Sequence, residues 1–366
     1  MRSETLTNVI EACRFCFMCR HLATVGNVTF RESDTPRGTA LILDKVRRDP
    51  ALLQCADYVE CLYRNALSGA CRKHCVSSYD EVGLVLAARE DIVAVGAAPK
   101  AVAVLAETLE RTGNPFGAAA RTGAKRRAAT TADVLYFVDP YAAHKQPEIA
   151  AAFLAAAKAL GVKVLPVEGV DAGKALLVLG YRDQAAKAAK RVRKLVAESG
   201  CKTVVTSCPA CFDAFKNDYP RLGAGFGAKV AIEHSGAFLL KVLEAKKPKI
   251  SKRGKAKVFY LDSDFLRNYN GIVDEPRALL RALGLALLPF GTNPEESCAC
   301  GEGAVVSDVL HPGVVSLLRA RVEELADDPA HDTLVVASPY TKHVLVSGVR
   351  PLKVKTLDEV VAERIG

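Results

Sequence analysis

Three cysteines near the start of the chain have the spacing of an iron-sulfur site. Cys13, Cys16 and Cys19 form a C-x2-C-x2-C pattern, which lets three thiolates converge on one four-iron, four-sulfur (4Fe-4S) cluster. The fourth thiolate must come from elsewhere. Cys75 is the best candidate, because in bacterial ferredoxin motifs the fourth cysteine of one motif binds the cluster begun by the other. We therefore predict one 4Fe-4S cluster bound by Cys13, Cys16, Cys19 and Cys75, with zinc at these thiolates as the alternative.

The segment before Cys75 fits a second motif that has lost its ligands. It matches the template C-x2-C-x2-C-x3-C with Asn65 and Ser68 in place of the first two cysteines, and the position where the first motif would close is Ala23. A second cluster would use the places of Ala23, Asn65, Ser68 and Cys71, of which only Cys71 can bind iron. The pattern predicts a di-cluster ferredoxin fold that now holds one cluster, with Cys71 as a small buried residue.

The composition is that of a globular protein. The chain has 366 residues, of which 50% are hydrophobic and 25% charged, so we expect two or three compact domains. The net charge is +9, but basic residues are mixed with acidic ones outside positions 246–257, so we expect no nucleic acid partner. Docking to an acidic flavoprotein and a solvated basic surface both remain compatible with this charge.

The sequence shows neither targeting nor nucleotide-binding motifs. The N-terminal segment lacks the apolar centre of a signal peptide, and no uncharged apolar run reaches the roughly 18 residues that a membrane helix needs. We therefore expect a cytoplasmic protein without a membrane span, in which the 12 cysteines are metal ligands or free thiols rather than disulfides. No glycine-rich phosphate loop follows a predicted strand, so we recognise no nucleotide site.

The apolar pattern divides the chain into four segments. Residues 1–90 are Cys-rich and mostly helical in pattern, and predict a ferredoxin-like iron-sulfur domain, which residues 91–130 join to the rest. Over 131–250 and again over 251–366, strands alternate with helices, as in a parallel sheet covered on both faces. The order of strands and helices in 251–366 repeats the order in 131–250, which indicates an internal duplication. We expect an α+β protein overall. The predicted strands are 132–138, 162–167, 175–179, 202–206, 257–261, 285–289 and 333–337, and the predicted helices are 147–160, 183–198, 275–283 and 312–325.

Short motifs throughout the chain resemble those of a known family. The resemblance is to the iron-sulfur subunits of glycolate oxidase and of related lactate and glycerol-3-phosphate dehydrogenases, and to heterodisulfide reductase subunits with cysteine-rich CCG domains. It implies two pseudo-symmetric CCG-like α/β domains after the ferredoxin-like domain. Besides the ferredoxin motifs, the residues that carry it are Thr35-Pro36-Arg37-Gly38, Gly113-Asn114-Pro115-Phe116-Gly117, Cys208-Pro209-Ala210-Cys211, Asp274-Glu275-Pro276-Arg277 and Cys300-Gly301-Glu302-Gly303.

The chain departs from the family pattern in both CCG-like domains. In the first, a ligand cysteine is replaced within Phe137-Val138-Asp139-Pro140, and no Cys-Cys pair occurs near positions 167–173. In the second, the missing cysteines correspond to Asp264, Ala299, Ser338 and Thr341. Neither domain keeps the ligands of the family's non-cubane cluster, so we do not expect disulfide reduction there.

Four cysteines of these domains remain. A shared second metal centre of Cys208, Cys211, Cys298 and Cys300 would require the two pairs to converge within metal-sulfur bonds of about 2.3 Å. Two separate vestigial pairs are the expected arrangement, and a second metal centre is therefore not expected.

The cysteine site favours electron transfer over catalysis. Four thiolates leave a cluster no open position for substrate, so we predict a non-catalytic subunit of a multi-subunit oxidoreductase. From the resemblance, its partner is a flavoprotein that oxidises a 2-hydroxy acid or similar small substrate. A thiol-disulfide reductase subunit and a scaffold with a structural cluster are the alternatives.

Overall fold

Strands and helices alternate from residue 134 onwards, as the sequence predicts. The computed structural model of the protein describes residues 2–119, 132–251, 257–290, 300–325, 333–348 and 352–365. It contains two four-stranded sheets in which every neighbouring pair of strands is parallel. The strands are β1 Val134–Phe137, β2 Val164–Val167, β3 Thr203–Thr206, β4 Ala231–His234, β5 Lys257–Leu261, β6 Ala286–Leu287, β7 Thr333–Val336 and β8 Lys353–Thr356.

The two sheets share one topology. Their strand orders are β2-β1-β3-β4 and β6-β5-β7-β8, so each sheet repeats the same crossover pattern. The mixture of helix and parallel sheet and the internal duplication are therefore both confirmed.

Helices make up most of the remaining described structure. Before the first sheet lie α1 Thr7–Ala12, α2 Gly26–Thr29, α3 Pro36–Arg48, α4 Ala56–Arg64, α5 Glu81–Ala94 and α6 Lys100–Thr112. The first half adds α7 Pro140–His144, α8 Pro147–Ala159, α9 Lys174–Val178, α10 Arg182–Ser199, α11 Pro209–Asp213, α12 Tyr219–Arg221 and α13 Ser235–Lys246. The second half adds α14 Asp274–Ala282, α15 Ser307–Leu310, α16 Pro312–Leu325, α17 Pro339–Val346 and α18 Leu357–Ile365.

One predicted strand is wrong. The apolar run 175–179 forms the helix α9, which begins after Gly173 in the left-handed region (φ 80°). Every residue of α9 is buried, because it packs between α10 and the N-terminal helices. A short run that is apolar on all sides carries no periodicity, and so does not distinguish a buried helix from a buried strand.

A single apolar core joins the two sheets. Helices α8 and α18 pack against each other, and residues of both sheets, including Tyr136, Val205, Tyr260 and Val335, belong to one buried cluster. The imidazole of His234 bridges the halves, with its Nε2 3.3 Å from the Ser207 carbonyl oxygen and 3.2 Å from that of Ala337.

His234 serves this bridge as a neutral side chain. Burial lowers its pKa to about 4, and its Nδ1 accepts the Gly236 N–H at 3.2 Å. The proton therefore sits on Nε2 and is donated towards the two carbonyl groups.

The N-terminal helices are fixed to the first half through a buried cation. Arg89 on α5 is 1% exposed, and its guanidinium donates to the carbonyls of Leu62, Tyr63, Asn65 and Val178 at 2.8–3.1 Å. These bonds tie the ends of α4 and α9 to α5. Because the partners are neutral, burial dominates and lowers the pKa of Arg89 to about 10.

The second half contacts the N-terminal helices at a different point. Tyr269 donates a hydrogen bond to the Leu67 carbonyl, and Asn268 donates to that of Ser68 at 2.9 Å. At Gly303, a Cβ would lie 2.2 Å from the Leu67 carbonyl oxygen, so only glycine fits there without a shift of backbone. The second half thus packs against the segment 65–68, where the second cysteine motif is degenerate.

Candidate metal centre

The predicted cluster ligands line one recess. Cys13, Cys16, Cys19 and Cys75 all contribute to its wall. Cys13, Cys19 and Cys75 are half-buried and Cys16 is exposed, so the site lies close to the protein surface. Cys71 also reaches this wall, but its thiol is buried and donates to the Cys19 carbonyl oxygen at 3.3 Å.

Backbone amides point at three of the four ligand sulfurs. The Tyr79 N–H lies 3.5 Å from Cys75 Sγ, and the amides of Phe15 and Arg37 donate to the sulfurs of Cys13 and Cys19. Burial raises the pKa of both of those thiols, and these amide bonds oppose the rise. Hydrogen bonds to the sulfurs help to set the potential of an iron-sulfur cluster. The donor set therefore fits an iron-sulfur cluster.

The Thr35-Pro36-Arg37-Gly38 motif positions one side of the recess. The Thr35 hydroxyl caps α3 by accepting the Gly38 N–H at 3.1 Å, and Pro36 occupies the first turn of the helix. A Cβ on Gly38 would lie 2.0 Å from the Glu32 carbonyl oxygen, so glycine lets the chain before α3 approach closely. The Arg37 guanidinium is held by Glu32 at 2.6 Å. The motif thus places the Arg37 amide beside Cys19.

Two buried polar atoms at the recess have no partner. Tyr79 Oη and Glu81 Oε2 are buried and lack a hydrogen bond to any described residue, and both residues line the recess. Burial raises the pKa of Glu81 to about 8 and that of Tyr79 well above its usual value, so both groups carry protons at neutral pH. Each can donate a hydrogen bond to a sulfur acceptor in the recess. Sequence reasoning missed both residues, since neither belongs to a cysteine motif.

The places of the lost second cluster also come together. Ala23, Asn65, Ser68 and Cys71 line one small cavity beside the recess, as expected if the two motifs are related by pseudo-symmetry. Polar side chains now close part of it, since the Thr24 hydroxyl donates to that of Ser68 at 2.9 Å. Glu81 borders both cavities.

The other two early cysteines stand apart. Cys55 and Cys61 are half-buried at and within α4 and do not line the recess. Cys61 Sγ accepts a long contact from Arg64 at 3.5 Å.

A second cavity lies between the two sheets. It has a volume of about 40 Å³ and is lined by acidic, thiol and apolar groups from both halves, which is enough space for water but not for an organic substrate. The polar residues around it include Asp139, Asp171, Cys208, Cys211 and Glu302.

The two thiols at this cavity are protonated and paired with each other. Cys211 donates a hydrogen bond to Cys208, and this bond and burial together raise the pKa of Cys211 well above its usual value. For Cys208, the bond from Cys211 lowers the pKa, but burial and the nearby Asp139 and Glu302 carboxyl groups together raise it above its usual value. Burial also raises the pKa of Asp139 to about 7 and that of Asp171 to about 6. Burial therefore shifts all four groups towards their neutral forms.

The replaced ligand positions have taken on structural roles. Asp139 caps α7 by accepting the amides of Tyr141 and Ala142 at 3.0 and 3.3 Å. In the second half, the replaced position Asp264 donates its amide to Glu302 at 2.8 Å, and Glu302 also accepts from the Ser263 hydroxyl at 3.0 Å. Burial raises the pKa of Glu302 to about 7.

The remaining positions of the second half follow the same pattern. Ser338 caps α17, because its hydroxyl accepts the Thr341 amide at 3.3 Å. Capping and side-chain hydrogen bonds thus stand where the resemblance places cysteines.

The structure describes three of the four cysteines that a shared second metal centre would need. Cys300 is buried in an apolar cluster with Phe259 and Tyr340 and does not line the cavity of Cys208 and Cys211. Cys298 and Ala299 lie outside the described residues. Across the described ranges, no group of three or more Cys, His, Asp or Glu side chains is arranged to hold one metal ion.

Comparison with known proteins finds one matching domain family and several relatives of this chain. The family model of the cysteine-rich CCG domain matches residues 134–216, which contain β1 to β3 and the Cys208–Cys211 pair. The chain is 30% identical over 247 residues to one of the subunits of dihydromethanophenazine:CoB--CoM heterodisulfide reductase from Methanosarcina barkeri, and the match covers 64% of this chain and 59% of that protein. These matches support the resemblance to the heterodisulfide reductase and glycolate oxidase-like family of iron-sulfur proteins.

Two further relatives share parts of the chain. The EtfAB:quinone oxidoreductase of Syntrophomonas wolfei is 34% identical over 104 residues, covering 28% of this chain and 14% of that protein. A probable membrane-anchored ferredoxin of Chromohalobacter salexigens is 29% identical over 207 residues, covering 54% and 30%. The chain therefore spans less than two thirds of the length of each of the three relatives.

The CCG domain match and these relatives support binding of an iron-sulfur cluster. None of the helices in the described ranges is both long and apolar enough to cross a membrane.

Proposed function

We propose that this chain is the electron-transfer subunit of a multi-subunit, flavin-dependent oxidoreductase. One 4Fe-4S cluster, bound by Cys13, Cys16, Cys19 and Cys75, would accept electrons from a flavin on a partner protein and pass them on. The observation that carries the proposal is the recess, which all four cysteines line and in which backbone amides are directed at three of the sulfurs.

The recess suits electron transfer rather than substrate chemistry. A cluster bound by four thiolates supplies one-electron oxidation and reduction without an open coordination site. The chain's own part is to hold the thiolates, to direct amide and side-chain donors at sulfur, and to bring the site close to the surface through Cys16, which is exposed.

The proposed fold of residues 1–90 is a di-cluster ferredoxin domain with one cluster lost. Its support is that the four expected ligand positions line one recess while the four degenerate positions line a neighbouring cavity. The CCG-like halves then act mainly as a scaffold. At two of their ligand positions Asp139 and Ser338 cap helices, and the pKa values of the remaining thiols Cys208 and Cys211 are raised above their usual value.

From the family, we propose that the partner flavoprotein oxidises a 2-hydroxy acid or similar small substrate. The test uses the complex purified anaerobically with its native partner. Adding substrate should bleach the cluster's visible absorbance, and the isolated chain with an artificial dye should oxidise no small 2-hydroxy acid.

Two results would contradict the proposal. Substrate turnover by the isolated chain would show that it is itself the enzyme. If the complex turns over substrate and dithionite bleaches the cluster, but substrate does not, the cluster has only a structural role in the fold.

A further inference from the structure

Four large apolar side chains are exposed around the cysteine recess. The exposed fractions are 47% for Phe15, 70% for Phe17, 46% for Met18 and 77% for Val76. The first three lie in the loop of Cys13, Cys16 and Cys19, and Val76 follows Cys75. Met18 and Val76 both line the recess, so the two loops meet there. We call these four side chains the docking face.

The backbone of the first loop holds Phe15 outwards at an energetic cost. Phe15 has φ 52°, in the left-handed region that a bulky L-residue adopts only at an energetic cost. This conformation directs its amide at the sulfur of Cys13 while the ring remains in solvent. The same turn therefore serves the ligand and presents an aromatic side chain beside it.

Basic groups border the docking face. The Arg37 guanidinium lies 4.4 Å from the centroid of the Phe17 ring and donates to the Phe15 carbonyl oxygen at 3.3 Å. Arg37 thus holds Phe15 and Phe17 in place relative to each other. Arg14 is exposed, lines the recess, and forms no ion pair with any residue in the described ranges. The nearby Glu32 carboxylate is engaged by Arg20 at 3.0 Å and by Arg37 at 2.6 Å, so guanidinium groups outnumber carboxylates at this edge.

We propose that the docking face binds a redox protein whose own surface has an apolar centre surrounded by carboxylates. The proposal rests on the proposed function and names the surface that serves it. Exposed apolar residues grouped at one place, with basic residues at the edge, are typical of an interface that excludes water at its centre and is steered by charge. Two copies of this face would place their basic edge residues against each other rather than against carboxylates, which disfavours self-association through it.

Electron transfer requires the donor and acceptor to approach closely. The docking face surrounds the one exposed ligand cysteine, Cys16, so a protein bound to it lies as near to the cluster as this chain permits. An anionic membrane surface is the competing occupant of an aromatic and basic face, and the experiments below distinguish the two.

The first experiment places a photo-crosslinking residue, p-benzoylphenylalanine, at position 17 or, as a control, at position 104. Val104 lies on α6, is 52% exposed and does not line the recess. In the host cell, we expect crosslinking from position 17 to a protein that carries flavin or another redox cofactor, and none from position 104. A crosslink only to proteins without a redox cofactor, or none at all, overturns the proposal.

The second experiment compares Phe17→Ser, Val76→Ser and the control Val104→Ser in the purified complex. Iron content and dithionite bleaching report the cluster, and stopped-flow bleaching by substrate reports transfer. We expect both docking-face variants to keep the cluster and to be reduced more slowly than wild type. For Phe17→Ser we expect a fall of at least about tenfold, since an aromatic residue at the centre of an interface often contributes about 1.4 kcal/mol or more. We expect the control to match wild type, and the wild-type rate to fall as NaCl is raised.

The outcomes separate the two proposals. If wild-type protein contains neither iron nor sulfide, the proposed function and the docking-face proposal are both refuted. Intact clusters with unchanged transfer rates in both variants refute the docking face alone. Flotation of wild-type protein with phosphatidylserine vesicles, but not with phosphatidylcholine vesicles, that disappears in Phe17→Ser would assign the face to a membrane and also refute the proposal.

Discussion

Replacing Gly303 by alanine should weaken the contact between the second half and the N-terminal helices. The added Cβ would lie 2.2 Å from the Leu67 carbonyl oxygen, 2.5 Å from its carbon and 2.7 Å from the Ala66 carbonyl oxygen. All three atoms belong to backbone, so no flexible side chain can move aside. Relief requires a separation of roughly 1 Å between the two segments, and overpacking of this kind costs typically about 1–3 kcal/mol, occasionally more.

The matched control is Gly313→Ala. Gly313 lies in α16, and a Cβ there meets nothing within 4 Å, so this change should be neutral or stabilise the protein by up to about 1 kcal/mol through helix propensity. Thermal unfolding compares the two variants, and hydrogen exchange of residues 65–69 reports the contact itself. We expect a lower midpoint and faster exchange in Gly303→Ala only. If Gly303→Ala matches wild type in both measurements, the described packing of Gly303 on Leu67 is wrong.

Three further predictions concern the ligands, the recess and the pH dependence of stability. Cys75→Ser should lose the cluster while Cys71→Ser keeps it, because only Cys75 holds the cross-motif position; equal iron loss in both would show that the ligands are misassigned. Tyr79→Phe should retain iron but lower the midpoint potential in a redox titration, because it removes the unpartnered hydroxyl that can donate to a cluster sulfur; an unchanged potential would place that hydroxyl elsewhere. Asp139 has a pKa of about 7 in the folded protein against an ordinary value of 3.8, so its contribution to stability is present below about pH 4 and is lost as pH rises to about 7. Asp139→Asn, which retains a helix-capping side chain, should lose less thermal stability between pH 5 and 8 than wild type, and parallel curves would contradict this.

Strands with strong apolar character were predictable from the sequence, and weak edge strands were not. β1, β3, β5 and β7 consist largely of buried apolar residues, and they lie at the centres of the two sheets. The edge strands β4 and β8 are four residues long and contain charged side chains, so their local pattern resembles a loop. Their presence follows from pairing with β3 and β7, which is a tertiary effect.

The ligand motif was predictable because its chemistry fixes residue types and spacing. Cys13, Cys16 and Cys19 indicate a site, and the cross-motif rule selects Cys75. Tyr79 and Glu81 reach the same recess through the turn after Cys75, and nothing in their own residue types signals this.

Features that depend on packing between distant segments could not be read from the sequence. Gly303 and Glu302 were recognised only as parts of a cysteine signature. Their roles, packing against Leu67 and bonding to Ser263 and Asp264, depend on how the halves dock. The replacement of ligands by caps at Asp139 and Ser338 likewise becomes interpretable only once the helices that follow them are seen.

The most direct test of the central claim is the metal and sulfide content of the anaerobically purified protein. We expect about four iron and four acid-labile sulfide per chain, with both lost in Cys75→Ser. Zinc in place of iron, with no sulfide, would contradict the assignment of Cys13, Cys16, Cys19 and Cys75 to an iron-sulfur cluster and with it the electron-transfer function.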